Sequence, residues 1–332
     1  MRRLLVVLLL VAALAGGLWF WEGANFTAPG PSQGQTVVLI APGDGTAIIA
    51  RKLEKAGAIS SATLFRAGVR LRGLQSQLKA GEFALPAHAS MEEVARIIAE
   101  GKSIQHKITV AEGLTSQMIY DIVKSDPVLV GDAGPVPEEG TLLPETYLFT
   151  RGVTRAEMLS RMKKAQDDLW EKLWPRRAAN LPYSTRMQVI TLASIVEKET
   201  GVPRERGHIA GVFVNRLRHG IKLQSDPTII YTITKGYPLG RGIRASELAK
   251  VTPYNTYAIT GLPPTPICNP GRDAIAAVIN PADTKDIFFV ANGTGGHAFS
   301  STMSEHEKNV SNWRKIEQGE KTQNLSPAKP RK

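Results

Sequence analysis

The stretch LASIVEKETG, Leu192 to Gly201, sets two carboxyls one residue apart at the end of an apolar run. A carboxyl held in apolar surroundings has a raised pKa and stays protonated near neutral pH, so it can donate a proton. The run reads as a helix. Thr185 as N-cap with Gln188 three positions on makes a capping box, and Gly201 closes the far end. At 3.6 residues per turn, Glu197 shares a face with Arg186, Ile190, Ala193 and Ser194, while Glu199 points nearly the opposite way with Gln188, Leu192 and Ile195. Apolar residues lie on both faces, which predicts a helix buried nearly all round. Small Ala193 and Ser194 leave room beside Glu197, whereas Glu199 lies nearer the helix end, where water can solvate it. The plainer alternative is a Glu pair in salt bridges with Arg186, Lys198 or Arg204. Periodicity leans towards Glu197 and leaves both acids open.

Other chemistries find little support. His297 and His306 flank Glu305, but SEHEK lacks the i, i+4 histidine pair of a zinc protease. Ser300, Ser301 and His297 match no nucleophile motif, and NGTGGH is not a dinucleotide fingerprint. One cysteine, Cys268, excludes an internal disulfide framework and a multi-cysteine metal site. The expectation is an enzyme without metal or cofactor.

The acids need a scaffold and a compartment. A chain of 332 residues predicts one large or two modest domains, and 42% hydrophobic residues suffice for a core. A net charge of +11 suits an anionic partner (nucleic acid, lipid headgroups or an acidic polymer) or a dispersed solvated surface. Behind Met1-Arg2-Arg3 come eighteen uncharged residues, Leu4 to Trp21. As a helix they span about 27 Å, near the roughly 30 Å of a bilayer's hydrocarbon. Arg2 and Arg3 would stay cytoplasmic, with Trp19 and Trp21 at the far interface. The rival is a signal peptide cleaved near Ala13-Leu14-Ala15, but the apolar run continues past it, favouring an anchor. Either way the bulk of the chain lies outside the cytoplasm, and nucleic acid falls away as a partner.

The expected organisation is an anchor over 1–21, a Gly/Pro/Ser-rich linker over 22–35, small units over 36–125, a catalytic domain over 126–318 and a disordered basic tail over 319–332. Three stretches echo a strand, a turn, a polar cap and an amphipathic helix: Val37–Ile40 leading to Thr46, GEFAL leading to Ser90-x-x-Glu93, and HKITV leading to the helix ending near Val123. The first resembles the opening of a LysM module, a glycan-binding unit. Downstream, helices are expected from Thr154 to about Trp174, from about Arg204 to Arg218, and from Glu305 to about Glu317 behind a Ser304 cap. A hairpin is expected around the Gly-rich loop of DIFFVANGTGGHAFSST. Helices and strands mix without βα alternation, which favours an α+β fold.

LASIVEKETG, with EGTLLPETYLF (Glu139–Phe149), VFVNRLRHGIKLQSDPTIIY (Val212–Tyr231), TPYNTYAITGLPPTPICNPG (Thr252–Gly271) and FVANGTGGHAFSSTMSEH (Phe289–His306), resembles the YceG/MltG family, the endolytic murein transglycosylases. The motifs occur in order over nearly all of the chain beyond the linker. Thr265 stands where the family pattern has glycine. The resemblance implies cleavage of the β-1,4 bond between N-acetylmuramic acid and N-acetylglucosamine without water, with Glu197 as acid. Ordinary glycosidases generally use two carboxyl groups. Here one would protonate the leaving oxygen, and its conjugate base would then take the proton of the same sugar's 6-hydroxyl as that closes onto C1. Gln224, Ser225, Tyr254, Asn255 and Tyr257 offer amide, hydroxyl and aromatic groups to N-acetyl sugars, although Tyr254 and Tyr257 equally suit core anchors. Glu145 and Asp226 are candidates to line the cleft, although Asp226-Pro227 equally starts a turn. The implied partners are peptidoglycan, the inner membrane and peptidoglycan synthases, with the catalytic part in the periplasm trimming or ending nascent strands. A non-catalytic peptidoglycan-binding scaffold is the competing function.

Overall fold

The computed structural model describes residues 2–324 and is mixed α+β. In chain order come α1 (Arg2–Thr27), β1 (Thr36–Ile40), α2 (Thr46–Lys55), α3 (Ala62–Leu71), β2 (Gly81–Leu85), α4 (Met91–Glu100), β3 (His106–Thr109), α5 (Ser116–Ser125) and β4 (Thr146–Phe149). Then follow α6 (Arg155–Leu173), α7 (Arg186–Glu199), α8 (Arg206–Arg218), α9 (Asp226–Thr234), α10 (Ala245–Ala249), α11 (Arg272–Ile279), β5 (Phe288–Ala291), β6 (His297–Ser300) and α12 (Met303–Asn324). The strands form two-stranded pairs, β1 with β2, β3 with β4 and β5 with β6. The described residues divide into two compact units: residues 2–107, 127–130 and 148–153 in the first, and 108–126, 131–147 and 154–324 in the second.

In the first unit, β1 and β2 run antiparallel from Thr36 opposite Leu85 to Ile40 opposite Gly81. Their inward residues Val38, Ile40, Phe83 and Leu85 pack with Ile49, Leu53, Phe65, Val69, Val94 and Ile98 from the helices. Ser90 caps α4 by accepting the Glu93 N–H at 3.1 Å, and Gly101 ends it at φ 76°, a left-handed turn that favours glycine. Thr46 is not a cap. Gly45 holds that position without a side-chain hydrogen bond, because α2 already begins at Thr46.

Leu4–Thr27 is long and apolar enough to cross a membrane. Its far end departs from the expected linker. α1 continues to Thr27 and seats Phe26, fully buried, against Phe65 at a centroid distance of 6.3 Å. The Arg72 guanidinium lies 4.0 Å over the Phe26 ring and 3.3 Å from Glu22. Gly68 makes the space, since a Cβ there would stand 2.3 Å from the Phe26 ring. Packing overrides the weak linker composition of this stretch.

In the second unit α7 is the central helix. Thr185 and Gln188 form both halves of the expected capping box. Val189 to Val196 are buried without a break, so the helix is enclosed as its two-faced apolar pattern predicts. It packs against α8, α9 and α11. β5 and β6 form the expected hairpin, Phe288 opposite Ser300 through Ala291 opposite His297. At the start of α12 the cap is Thr302, whose hydroxyl accepts the Glu305 N–H at 3.3 Å, in place of Ser304, which lies inside the helix. α12 runs to Asn324, past Glu317, because its Glu, Lys and Gln residues are good helix formers. The remainder of the expected tail lies outside the described residues.

Candidate active site

The two carboxyls of α7 enter different surroundings. Glu197 Oε2 accepts the Gly271 N–H at 2.9 Å, at the N-cap of α11. Its Oε1 is 3.5 Å from Arg206 Nη2, and the side chain is only 6% exposed. The same guanidinium reaches Glu112 at 3.4 Å and Asp273 at 3.7 Å. Burial and the Glu197 charge raise the Glu112 pKa above its ordinary value. Gly271 has no room for a side chain, since a Cβ would lie 1.8 Å from Glu112 Oε1. Glu197 thus sits in a packed ion network that ties α7, α8 and α11 together.

Glu199 has a raised pKa as well. Desolvation by burial pushes its pKa up to about 7, and the neighbouring Asp226 charge adds to this, against the Ser225 hydrogen bond and the Arg216 charge. The position nearer the helix end therefore does not leave it in free water, as the sequence suggested. Loop and helix segments that follow in the chain fold over it. Ser225 donates its hydroxyl hydrogen to Glu199 Oε1.

Glu199 opens onto a cleft of about 450 Å³ lined also by Arg216, Gln224, Asp226, Tyr257 and His297. Arg216 fixes its floor. It donates to the Ile287, Lys222 and Leu223 carbonyls at 2.6, 3.1 and 2.8 Å and to Gln224 Oε1 at 3.2 Å. Gln224 is held at φ 54°, a left-handed conformation unusual for a residue with a side chain, and such strain clusters at functional sites. Its N–H donates to Thr256 O at 3.1 Å, and the Ser225 N–H donates to Thr256 Oγ1 at 2.9 Å. Tyr257 donates to Asp226 Oδ1 at 2.7 Å, and burial foremost, then Asp226, pushes its phenol pKa up.

Of the residues singled out from sequence, Gln224, Asp226 and Tyr257 line this cleft, and Ser225 holds the acid behind it. Asn255 does not. It is 2% exposed, gives its amide hydrogens to the Leu248 and Lys250 carbonyls at 2.9 and 2.6 Å, and takes the Tyr257 N–H at 2.9 Å. Tyr254 packs on Tyr231 at 5.1 Å and shares a 2.6 Å hydrogen bond with Thr265, the residue that departs from the family pattern. Glu145 pairs with Arg272 at 2.7 Å, away from the cleft residues. Arg216 and His297 also line the cleft, and no local sequence signal marks them as cleft groups. Only the fold brings them to α7.

The described residues hold no cluster of three or more His, Cys, Asp or Glu groups able to bind a metal ion. The site is an acid-bearing cleft on an α+β frame, furnished with amide, phenol and imidazole groups. Residues 38–312 match the YceG-like family, and the chain belongs to it. It is 33% identical over 172 residues to the endolytic murein transglycosylase of Bacillus subtilis (strain 168), covering 52% of this chain and 47% of that one. Against the endolytic murein transglycosylase of Streptococcus pneumoniae serotype 2 (strain D39 / NCTC 7466) it is 27% identical over 328 residues, covering 84% and 58%. The chain thus spans about half the length of the curated relatives it matches. A crystal structure of a yceG-like protein from Listeria monocytogenes matches with a TM-score of 0.50 and 28% identity, over 83% of this chain and 99% of that chain.

Proposed function

We propose that this chain is a lytic transglycosylase that cuts the β-1,4 bond between N-acetylmuramic acid and N-acetylglucosamine within peptidoglycan strands, with Glu199 as the acid. The observation that carries the acid is the Glu199 carboxyl, its pKa pushed up to about 7, facing a cleft large enough for sugar rings. Glu197, favoured by helix periodicity and by the family resemblance, is in this reading a positioning group. Its oxygens are engaged by Gly271 and Arg206. The relatives named endolytic murein transglycosylase support the substrate class.

Protonated Glu199 gives its hydrogen to the leaving glycosidic oxygen. The 6-hydroxyl of the same muramyl residue closes onto C1 and its hydrogen passes to a base in the cleft, leaving a 1,6-anhydro end and consuming no water. Gln224, Tyr257 and Asp226 line the path of the strand. A single-pass anchor in the cytoplasmic membrane, with Arg2 and Arg3 inside and the second unit in the periplasm, is supported by the apolar Leu4–Thr27 helix. The LysM-like reading of the first unit as a glycan holder is supported by a groove of about 540 Å³ lined by Arg72, Gln77, Ser90, Glu93 and Arg96. Trimming nascent strands beside the synthases is the role that fits such an anchored enzyme.

The test is mass spectrometry of peptidoglycan digested by the purified full chain. Anhydro ends, lighter by one water than reducing ends, are expected. Glu199→Gln is expected to lower the rate roughly 100-fold or more. Reducing ends would make the protein a muramidase, and full activity in Glu199→Gln with loss in Glu197→Gln would return the acid to Glu197.

A further inference from the structure

A second titratable side chain lines the cleft beside Glu199. His297 opens β6, and its Nδ1 is 2.8 Å from Glu205 Oε2. The His297 backbone N–H also donates to Glu205 Oε1 at 3.0 Å. Both carboxylate oxygens are therefore turned onto one residue, 92 positions away in sequence. A carboxylate only accepts, so Nδ1 carries the hydrogen and Nε2 is the nitrogen left to exchange a proton. Nε2 makes no hydrogen bond among the described residues, and the imidazole lines the same cleft as Glu199. Burial raises the Glu205 pKa, but the His297 hydrogen bonds outweigh it and hold the carboxyl below its ordinary value, as an ionised partner.

The loop before His297 is shaped for this contact. A Cβ on Gly296 would lie 2.4 Å from Glu205 Oε1, so no side chain fits where the carboxylate approaches. The ring is set edge-on to Phe289, at 5.3 Å and 86°. These constraints give a fixed imidazole backed by a carboxylate, the arrangement that orients a general base and stabilises its cation.

We propose that His297 is the base of the ring-closing step and Glu205 its positioning residue, so that Glu199 and His297 divide the proton transfers between them. This rests on the transglycosylase reading above. The leaving oxygen departs and O6 arrives on the same face of the sugar, so one cleft wall can carry both groups. As the C1–O bond breaks, the Glu199 hydrogen passes to the departing oxygen. An O6 lone pair forms the C1–O6 bond, and the O6 hydrogen passes to His297 Nε2. The step leaves a Glu199 carboxylate and a His297 imidazolium. One proton lost to solvent from His297 and one gained by Glu199 reset the site.

The charged and titratable groups lining the cleft with His297 are Glu199 of α7, Arg216 of α8, Asp226 of α9, Tyr257 and His306 of α12, with Glu205 behind it. His306 is the poorer base. Burial foremost, then Arg216, lowers its pKa; its buried Nδ1 has no hydrogen-bond partner among the described residues and its ring stacks on Phe288 at 4.9 Å. The neighbouring Glu307 charge opposes these influences without overcoming them.

The experiment is a pH profile of kcat/KM for anhydro-end release by the full chain in detergent, with folding checked by circular dichroism and melting. A bell is expected, its basic limb from Glu199 and its acidic limb from His297. His297→Gln should lose roughly 100-fold or more and flatten the acidic limb, and Glu205→Gln should fall between it and wild type with a displaced limb. Recovery of His297→Gly by added imidazole supports the assignment. A folded His297→Gln within about threefold of wild type with its acidic limb intact overturns it, as does loss of that limb in His306→Gln instead. Wild type that releases no anhydro ends would sink the transglycosylase reading itself, a separate failure.

Discussion

The Ser225 hydroxyl donates to Oε1 of Glu199 across 26 positions of sequence, so the acidity of a residue on α7 is adjusted by the residue that precedes α9. This hydrogen bond favours the ionised carboxylate, while burial favours the neutral acid, and burial prevails. In Ser225→Ala the opposing influence is gone and the Glu199 pKa rises further. The basic limb of the pH–rate profile should then move to higher pH by a few tenths to about one unit. An unmoved limb would disconnect Ser225 from the acid.

The same raised pKa makes a stability prediction. A free glutamate has a value of 4.5 and Glu199 about 7, so the folded state holds the proton more tightly than the unfolded chain. Its contribution is complete below pH 4.5 and is lost as pH rises through 7. Above pH 7 the ionised residue disfavours the fold by on the order of 3 kcal/mol relative to low pH. Glu199→Gln should therefore melt higher than wild type at pH 8, with the gap narrowing or closing at pH 4. Parallel melting curves at both pH values would contradict this.

Arg216 should not tolerate its usual conservative replacement. Four hydrogen bonds from Nε and Nη1 tie the 222–224 turn and Ile287 together, and lysine offers one compact cation in place of a planar fork. Arg216→Lys should release the strained Gln224, raising KM and lowering kcat by about tenfold combined. Unchanged kinetics would show that the turn holds itself.

Gly68→Ala tests the seat of α1 in the first unit. The new Cβ would overlap the Phe26 ring at 2.3 Å, and its neighbour Glu22 at 2.7 Å. The variant should expel Phe26 and destabilise the first unit by about 3 kcal/mol, within the range for losing a buried phenylalanine. Faster protease cleavage near Thr27 would report it, and Phe26→Ala should behave alike.

Local signals in the sequence were read well where they are local in physics. The Thr185–Gln188 box, the Ser90 cap, the Gly101 stop and the β5–β6 hairpin each depend on a few adjacent residues, and each formed. Thr302 displaced Ser304 as a cap because a one- or two-residue shift leaves the same helix signature. The choice between Glu197 and Glu199 was of another kind. Helical periodicity says which way each carboxyl points relative to α7, but it carries nothing about what covers each side. Gly271 and Arg206 came to one, and Ser225 and a cleft came to the other. Asn255 looked like a sugar ligand by type, yet the turn it stabilises uses all its hydrogen-bonding groups. The Glu205–His297 pair, 92 residues apart, leaves no trace in spacing except the small residue that makes room for it.

Phe26 has one more implication. Because the apolar span runs as one helix into the interior of the first unit, the span acts as a rigid mast and not as a string. A fragment trimmed just after Thr27 would lose a keystone of the first unit, leaving a hollow beside Phe65 and Gly68.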